Sequence, residues 1–109
     1  MVIPKFEDFL YPFMLHLTDG DSSKADMISV LSDFFDLSEE DKKLKTGGTS
    51  LQLNDRVGWS LQWLRRAHFV EIPERGVWRI TQRGRDYMSA ASDLRESDLM
   101  KYPEFAEYS

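Results

Sequence analysis

Apolar residues fall into stripes that divide the chain into a succession of helices and one hairpin. Phe6, Leu10, Phe13 and Leu17 recur at spacings of four, three and four, with Phe9 and Met14 widening the stripe. Pro4 suits the first turn of this helix, where its missing N–H would have had no partner. Asp19-Gly20-Asp21 reads as the turn that ends it. Ser23 followed by Asp26 resembles a capped start, and Ile28, Leu31 and Phe35 carry the buried side of a second helix. Ser38-Glu39-Glu40-Asp41 predicts a short, strongly charged helical piece to about Leu44, and Thr46–Ser50 reads as a loop.

A third main helix follows, with Leu53, Val57, Leu61 and Leu64 as its inner stripe and Trp63 and Ala67 beside it. Asn54, Asp55, Gly58, Gln62, Arg65 and Arg66 occupy the opposite side, with Trp59 at the boundary. Phe69–Ile72 has the β-branched and aromatic content of a strand. Pro73-Glu74-Arg75-Gly76 supplies turn chemistry, and Val77–Ile80 returns as the paired strand. Thr81 caps a fourth main helix through about Ala91, and Gly84 in its first turn lets that helix approach the hairpin closely. From Ser92 the chain alternates acidic and apolar residues and includes Pro103, which fits a short extra helix or a linker.

The order helix, helix, short helix, helix, hairpin, helix predicts a mainly α domain with a small β-hairpin, a winged helix-turn-helix. Its expected extent is residues 3–91, with 92–109 as a C-terminal tail, short helix or linker to an absent domain. A chain of 109 residues, 41% apolar, suffices for one core. The absence of cysteine excludes disulfides and thiolate metal sites, which favours a reducing, cytoplasmic setting. No apolar run approaches the ~20 residues of a membrane span, and the acidic N-terminus is unlike a signal peptide.

Charge sharpens the pattern. The net charge of −5 conceals a division: residues 1–55 hold five basic and eleven acidic side chains, and 86–109 hold two and six. Residues 56–85 hold seven of the eight arginines and only two glutamates, and no lysine. A local basic field of this kind is a footprint for nucleic acid even in an acidic protein, although a solvated, charge-balanced surface explains charge alone equally well.

In a helix-turn-helix the third helix enters the major groove with its N-terminal residues nearest the base edges. Gln52, Asn54 and Gln62 are the candidate base readers, since Asn and Gln pair bidentately with adenine. Arg56, Arg65 and Arg66 are candidate phosphate contacts. Arg75, at the hairpin tip, is placed for the adjacent minor groove or backbone. Arg79, Arg83 and Arg85 are weaker candidates. Each has a structural alternative. Arg65 and Arg66 suit a helix C-terminus, Arg75 suits a turn, and Arg79 suits cross-strand pairing with Glu71. Asp55 reads as orienting an arginine or capping the helix. Trp59, Trp63 and Trp78 read as core or hairpin packing rather than platforms for bases.

Three runs together are similar to the N-terminal domain of Mrr-type restriction endonucleases: Asn54-Asp55-Arg56-Val57-Gly58-Trp59, Leu64-Arg65-Arg66-Ala67, and Gly76-Val77-Trp78-Arg79-Ile80-Thr81-Gln82-Arg83-Gly84. Ile3-Pro4 ahead of an apolar helix agrees, and the resemblance covers about residues 3–90. It implies a winged-helix module that helps to bind double-stranded DNA, joined to a downstream nuclease domain that cleaves modified DNA. The nuclease domain is the large departure, which makes this either an excised domain or a stand-alone relative.

No catalytic residues, metal ligands or cofactor follow from the sequence. Glu40-Asp41-Lys42, with Asp26 or Asp33 upstream, has the letters of a metal-dependent nuclease but sits in a polar helical piece rather than a strand. His16 and His68 lack ligand partners at metal spacing. Gly47-Gly48 joins two helices without the lysine of a phosphate loop. The expected partners are duplex DNA, with a nuclease domain or a second copy as further candidates and no membrane. The alternatives are a protein-interaction or dimerisation winged helix, for which the acidic stretch from Asp19 to Asp41 speaks, and a transcription regulator.

Overall fold

A computed structural model describes residues 5–43 and 52–107. Pro4 and the Thr46–Ser50 loop lie outside the described residues. The elements are α1 (Phe6–Thr18), β1 (Ser22–Ser23), α2 (Lys24–Phe34), α3 (Glu39–Lys42), α4 (Gln52–Arg66), β2 (Val70–Glu74), β3 (Val77–Ile80), α5 (Gln82–Ala90), α6 (Glu96–Leu99) and α7 (Pro103–Ala106). The protein is mainly helical with a small antiparallel sheet, and the order of elements is that of a winged helix-turn-helix.

The predicted stripes of α1 and α4 form the core, with Phe6 half-buried at its edge. Of the α2 stripe only Leu31 is buried; Ile28 and Phe35 are half-buried against the core, and Met27 is buried in their stead. Phe9, Leu10, Phe13, Met14 and Leu17 of α1 pack with Leu53, Val57, Leu61 and Leu64 of α4, all buried. Burying such side chains contributes roughly 1.5–3 kcal/mol each before the cost of ordering them. The α1 helix runs through Pro12, whose missing N–H removes one intrahelical bond, because the stripe on both sides of it is fully buried. Ser60, absent from the sequence reading, is buried with its hydroxyl 2.6 Å from the Phe6 carbonyl and 2.8 Å from that of Arg56, a polar link between α4 and the start of α1.

Caps fall where the side chains foretell. Ser23 Oγ accepts from the Asp26 N–H at 3.1 Å to start α2, and Thr81 Oγ1 accepts from the Gly84 N–H at 3.1 Å to start α5. Thr81 also donates to the His68 carbonyl at 2.6 Å, which ties α5 to the end of α4. At Gly84 an added Cβ would lie 2.5 Å from the Phe69 carbonyl oxygen and 2.7 Å from Met14 Cε, so the close approach requires glycine.

The sheet differs from the expected two-stranded hairpin. Its order is β1-β3-β2, all antiparallel, and Ser22 and Ser23 pair with Trp78 and Val77. A two-residue polar strand has too few positions to show an alternating pattern, so only tertiary pairing defines it. The turn is also tighter than expected. Glu74 pairs with Val77, which leaves Arg75 and Gly76 as the turn, with Gly76 at φ +80°. Pro73 and Glu74 belong to β2 because an irregularity between Glu71 and Glu74 accommodates a residue with no N–H to donate.

The core runs past residue 91. Leu94, Leu99 and Phe105 are buried within it, and α7 packs on α4. Trp63 sits between Phe6 and Phe105, with ring centroids 4.3 and 5.1 Å away. No helix among the described residues is long and apolar enough to cross a membrane.

Candidate nucleic-acid interface

With one side of α4 buried against α1, its other side presents Asn54, Asp55, Gly58, Trp59, Gln62, Arg65 and Arg66. Asn54, Asp55, Gly58, Trp59, Gln62 and Arg66 line an open groove of about 450 Å³, and Lys24 from the first turn of α2 joins them. An adjoining hollow of about 400 Å³ is lined by Gln62, Arg65, Arg66 and His68. Three of the candidate site residues, Asn54, Gln62 and Arg66, therefore share one groove, and Arg65 lies in its continuation. Gln52 opens α4, but its side chain lies outside the described residues. Arg56 lines neither hollow. Arg75 is exposed at the hairpin turn, apart from both.

Two features of this surface were missed from the sequence. Lys24 comes from a different helix and lies outside the arginine-rich block, although its place beside the Ser23 cap was visible. Trp59 is 59% exposed, in contrast to Trp78 at 8% and to Trp63 wedged between two phenylalanines. The expectation of structural packing holds for Trp78 and Trp63 and fails for Trp59. Among the described residues Trp59 has no ring partner, whereas Trp63 has two.

His68 closes α4. Its N–H bonds the Arg65 carbonyl at 3.0 Å, and the next N–H, of Phe69, bonds the Leu64 carbonyl at 2.9 Å. This Schellman ending places a left-handed residue at His68, φ +61°, where glycine is the usual occupant. The imidazole is thereby held beside Arg65 and Arg66 at some conformational cost.

The arginines divide by partner. Arg79 pairs with Glu71 at 3.7 Å, the cross-strand role considered for it, and with Asp21 at 3.5 Å. Arg83 bonds Glu104 at 2.7 Å and the Ala67 carbonyl at 3.0 Å, and lies 5.0 Å from the Tyr102 ring centroid. Its hydrogen bond holds the Glu104 carboxyl below the usual carboxylate range. Arg65, Arg75 and Arg85 are exposed and have no acidic partner among the described residues. These three are among the cations whose charge no described carboxylate neutralises.

Catalytic geometry is not assembled by the acidic letters. Glu40 lies on the four-residue α3, while Asp26 and Asp33 lie on α2, so none of these carboxylates stands on a strand. Among the described residues no three His, Cys, Asp or Glu side chains are grouped to hold a metal ion.

Residues 6–90 match the family described as the Mrr N-terminal domain. The chain belongs to that family. The match runs from the first residue of α1 to the last of α5, so the α4 groove and the hairpin both lie within the Mrr N-terminal domain. No curated protein and no solved structure matches the chain. The family identifies an N-terminal domain, and no catalytic domain is identified alongside it in these residues.

Proposed function

We propose that this Mrr N-terminal domain binds duplex DNA and serves as the targeting module of an Mrr-type restriction system. The observation that carries this reading is the α4 groove, in which Asn54 and Gln62 stand beside Lys24 and Arg66 on the exposed side of the third main helix. With α4 in the major groove, the two amides are the base-reading groups. Arg65, Arg66 and Lys24 face phosphates on either side. Arg75, at the tip of a hairpin with no acidic partner, reaches the neighbouring backbone or minor groove. Asp55 is repelled by phosphate, and its place in the first turn of α4 suits the positive end of the helix dipole. Arg56, outside the groove, is the least favoured of the original candidates.

The test is a titration of duplex DNA over a salt series with wild type and an Arg66→Glu, Arg75→Glu variant. Wild-type affinity should fall with a log–log slope of about −0.9 per phosphate contact, and the variant should bind more weakly with a slope shallower by about two contacts. Affinity indifferent to salt and to both reversals overturns the reading.

A second reading, a protein-docking winged helix, is favoured by one observation. Leu15, Val30 and Phe34 are 40%, 39% and 60% exposed and line one hollow with Pro12 and Asp19. The same titration decides between them, because a protein-docking role predicts no salt-dependent DNA affinity. A transcription regulator would use the same DNA contacts for a different output.

A further inference from the structure

Trp59 needs an explanation that core packing does not provide. Its indole is more than half exposed near the middle of α4, and it has no ring or hydrogen-bond partner among the described residues. A single exposed apolar side chain is ordinary on a protein surface, and what distinguishes this one is the groove in which it stands. Its surroundings are polar: Lys24, Asn54, Gln62 and Arg66 line the same groove. The neighbouring position is Gly58, among the poorest residues for a helix interior. Packing does not demand glycine there. An added Cβ would meet only the flexible tip of Lys24, at 3.4 Å, in contrast to the backbone clash at Gly84. An indole beside a missing side chain makes an apolar slot within an otherwise hydrogen-bonding face.

The major-groove edge of ordinary DNA offers one apolar feature, the C5-methyl group of thymine. We infer that the Gly58–Trp59 step is a specificity element that seats a thymine methyl, with Gly58 clearing the approach and the indole covering the methyl. This rests on the DNA-binding reading above. It adds a preference that Asn54 and Gln62 cannot supply, because their amides sense donors and acceptors and not the methyl.

Uracil isolates the methyl, since a U·A pair keeps the charge and hydrogen-bonding edges of T·A and lacks only that group. Duplexes selected by the wild-type domain from a randomised pool are synthesised in dT and dU forms and titrated with wild type, Trp59→Ala and Trp59→Phe over a salt series. Wild type should bind the dU form about fourfold more weakly for each methyl contacted. Trp59→Ala should bind both forms alike, near the wild-type level on dU, and Trp59→Phe should keep part of the preference. Salt slopes should be the same for all three proteins. Selected duplexes without a preferred T·A position, or equal wild-type affinity for dT and dU with normal salt dependence, overturn the methyl contact and leave DNA binding standing. Absence of salt-dependent binding to either form removes the DNA-binding reading and this inference together. Thermal melts of the three proteins, expected to agree because Trp59 is exposed, keep any loss of binding separate from loss of fold.

Discussion

Arginine does different work at the two ends of this molecule. At the C-terminal end, Arg83 spans α5, the end of α4 and α7 through the Ala67 carbonyl, Glu104 and the Tyr102 ring. Arg95 similarly joins Asp8 and Asp93, at 2.8 and 3.0 Å. On the α4–hairpin side, Arg65, beside a histidine in a left-handed conformation, and Arg75, at the hairpin turn, are exposed with no acidic partner among the described residues. An exposed indole stands on the same helix as Arg65. One end spends its charges on holding two short helices to the core. The other leaves charge, an aromatic ring and local strain unspent, which is the arrangement expected of a surface that meets a ligand. A cluster of arginines in a sequence is therefore two populations, separated by which carboxylates the fold brings to them.

Variants can break that comparison, and the largest effect belongs to the clamp. Phe105→Ala removes a buried ring that packs on Trp63 and should cost about 3–5 kcal/mol in urea unfolding. Arg83→Ala should destabilise by less than this, because the Arg83–Glu104 pair is only partly buried and water can replace part of it. Neither should change the salt slope of DNA binding in the protein that remains folded. A slope that flattens in Arg83→Ala would mean that the clamp and the face are not separate.

Gly58→Ala should act in the opposite sense. Replacing a helix-interior glycine that packing does not require should stabilise the fold by up to about 1 kcal/mol. The same methyl should weaken DNA binding by filling the slot beside Trp59, so a higher melting temperature with unchanged affinity would remove the functional reason for this glycine.

The smallest effect is a pH dependence confined to the clamp. Burial, reinforced by the Asp98 carboxylate, pushes the Tyr87 phenol up to about 12. Its hydroxyl donates to the Asp93 carbonyl at 2.7 Å. In the unfolded chain the phenol ionises near its ordinary value of about 10. Between the two values the folded state retains a proton that the unfolded state has lost, so stability is full below about pH 10 and falls as pH rises towards 12. Unfolding midpoints measured across that window should decline in wild type and decline less in Tyr87→Phe.

Much of this architecture was legible before the fold was known. The α1 and α4 stripes are buried as their spacing predicts, because a helix that shows one apolar face to a core repeats it every three to four residues. Ser23, Thr81 and Gly84 act locally, through a cap or a close approach, and local chemistry survives any tertiary arrangement. The candidate site was legible as one face of α4, since Asn54, Gln62, Arg65 and Arg66 are set on the same side by helical geometry alone. Lys24 was not, because it enters the groove from a helix some thirty residues earlier in the chain. The tail was not either. Its helices are four residues long and bury one side chain each, too short for a period to show.

Trp59 and Trp63 mark the boundary between what sequence and structure decide. They stand four residues apart on one helix, about 40° apart around its axis, and no periodicity separates so small an angle into inside and outside. The sequence by itself determined that both lie beside the buried stripe. The tertiary structure decided the rest: Phe6 and Phe105 close over Trp63, nothing among the described residues closes over Trp59, and the exposed indole stands among Asn54, Gln62 and Arg66. Which face of a helix is apolar is a property of the helix. How far the core extends around it depends on partners that come from the two ends of the chain.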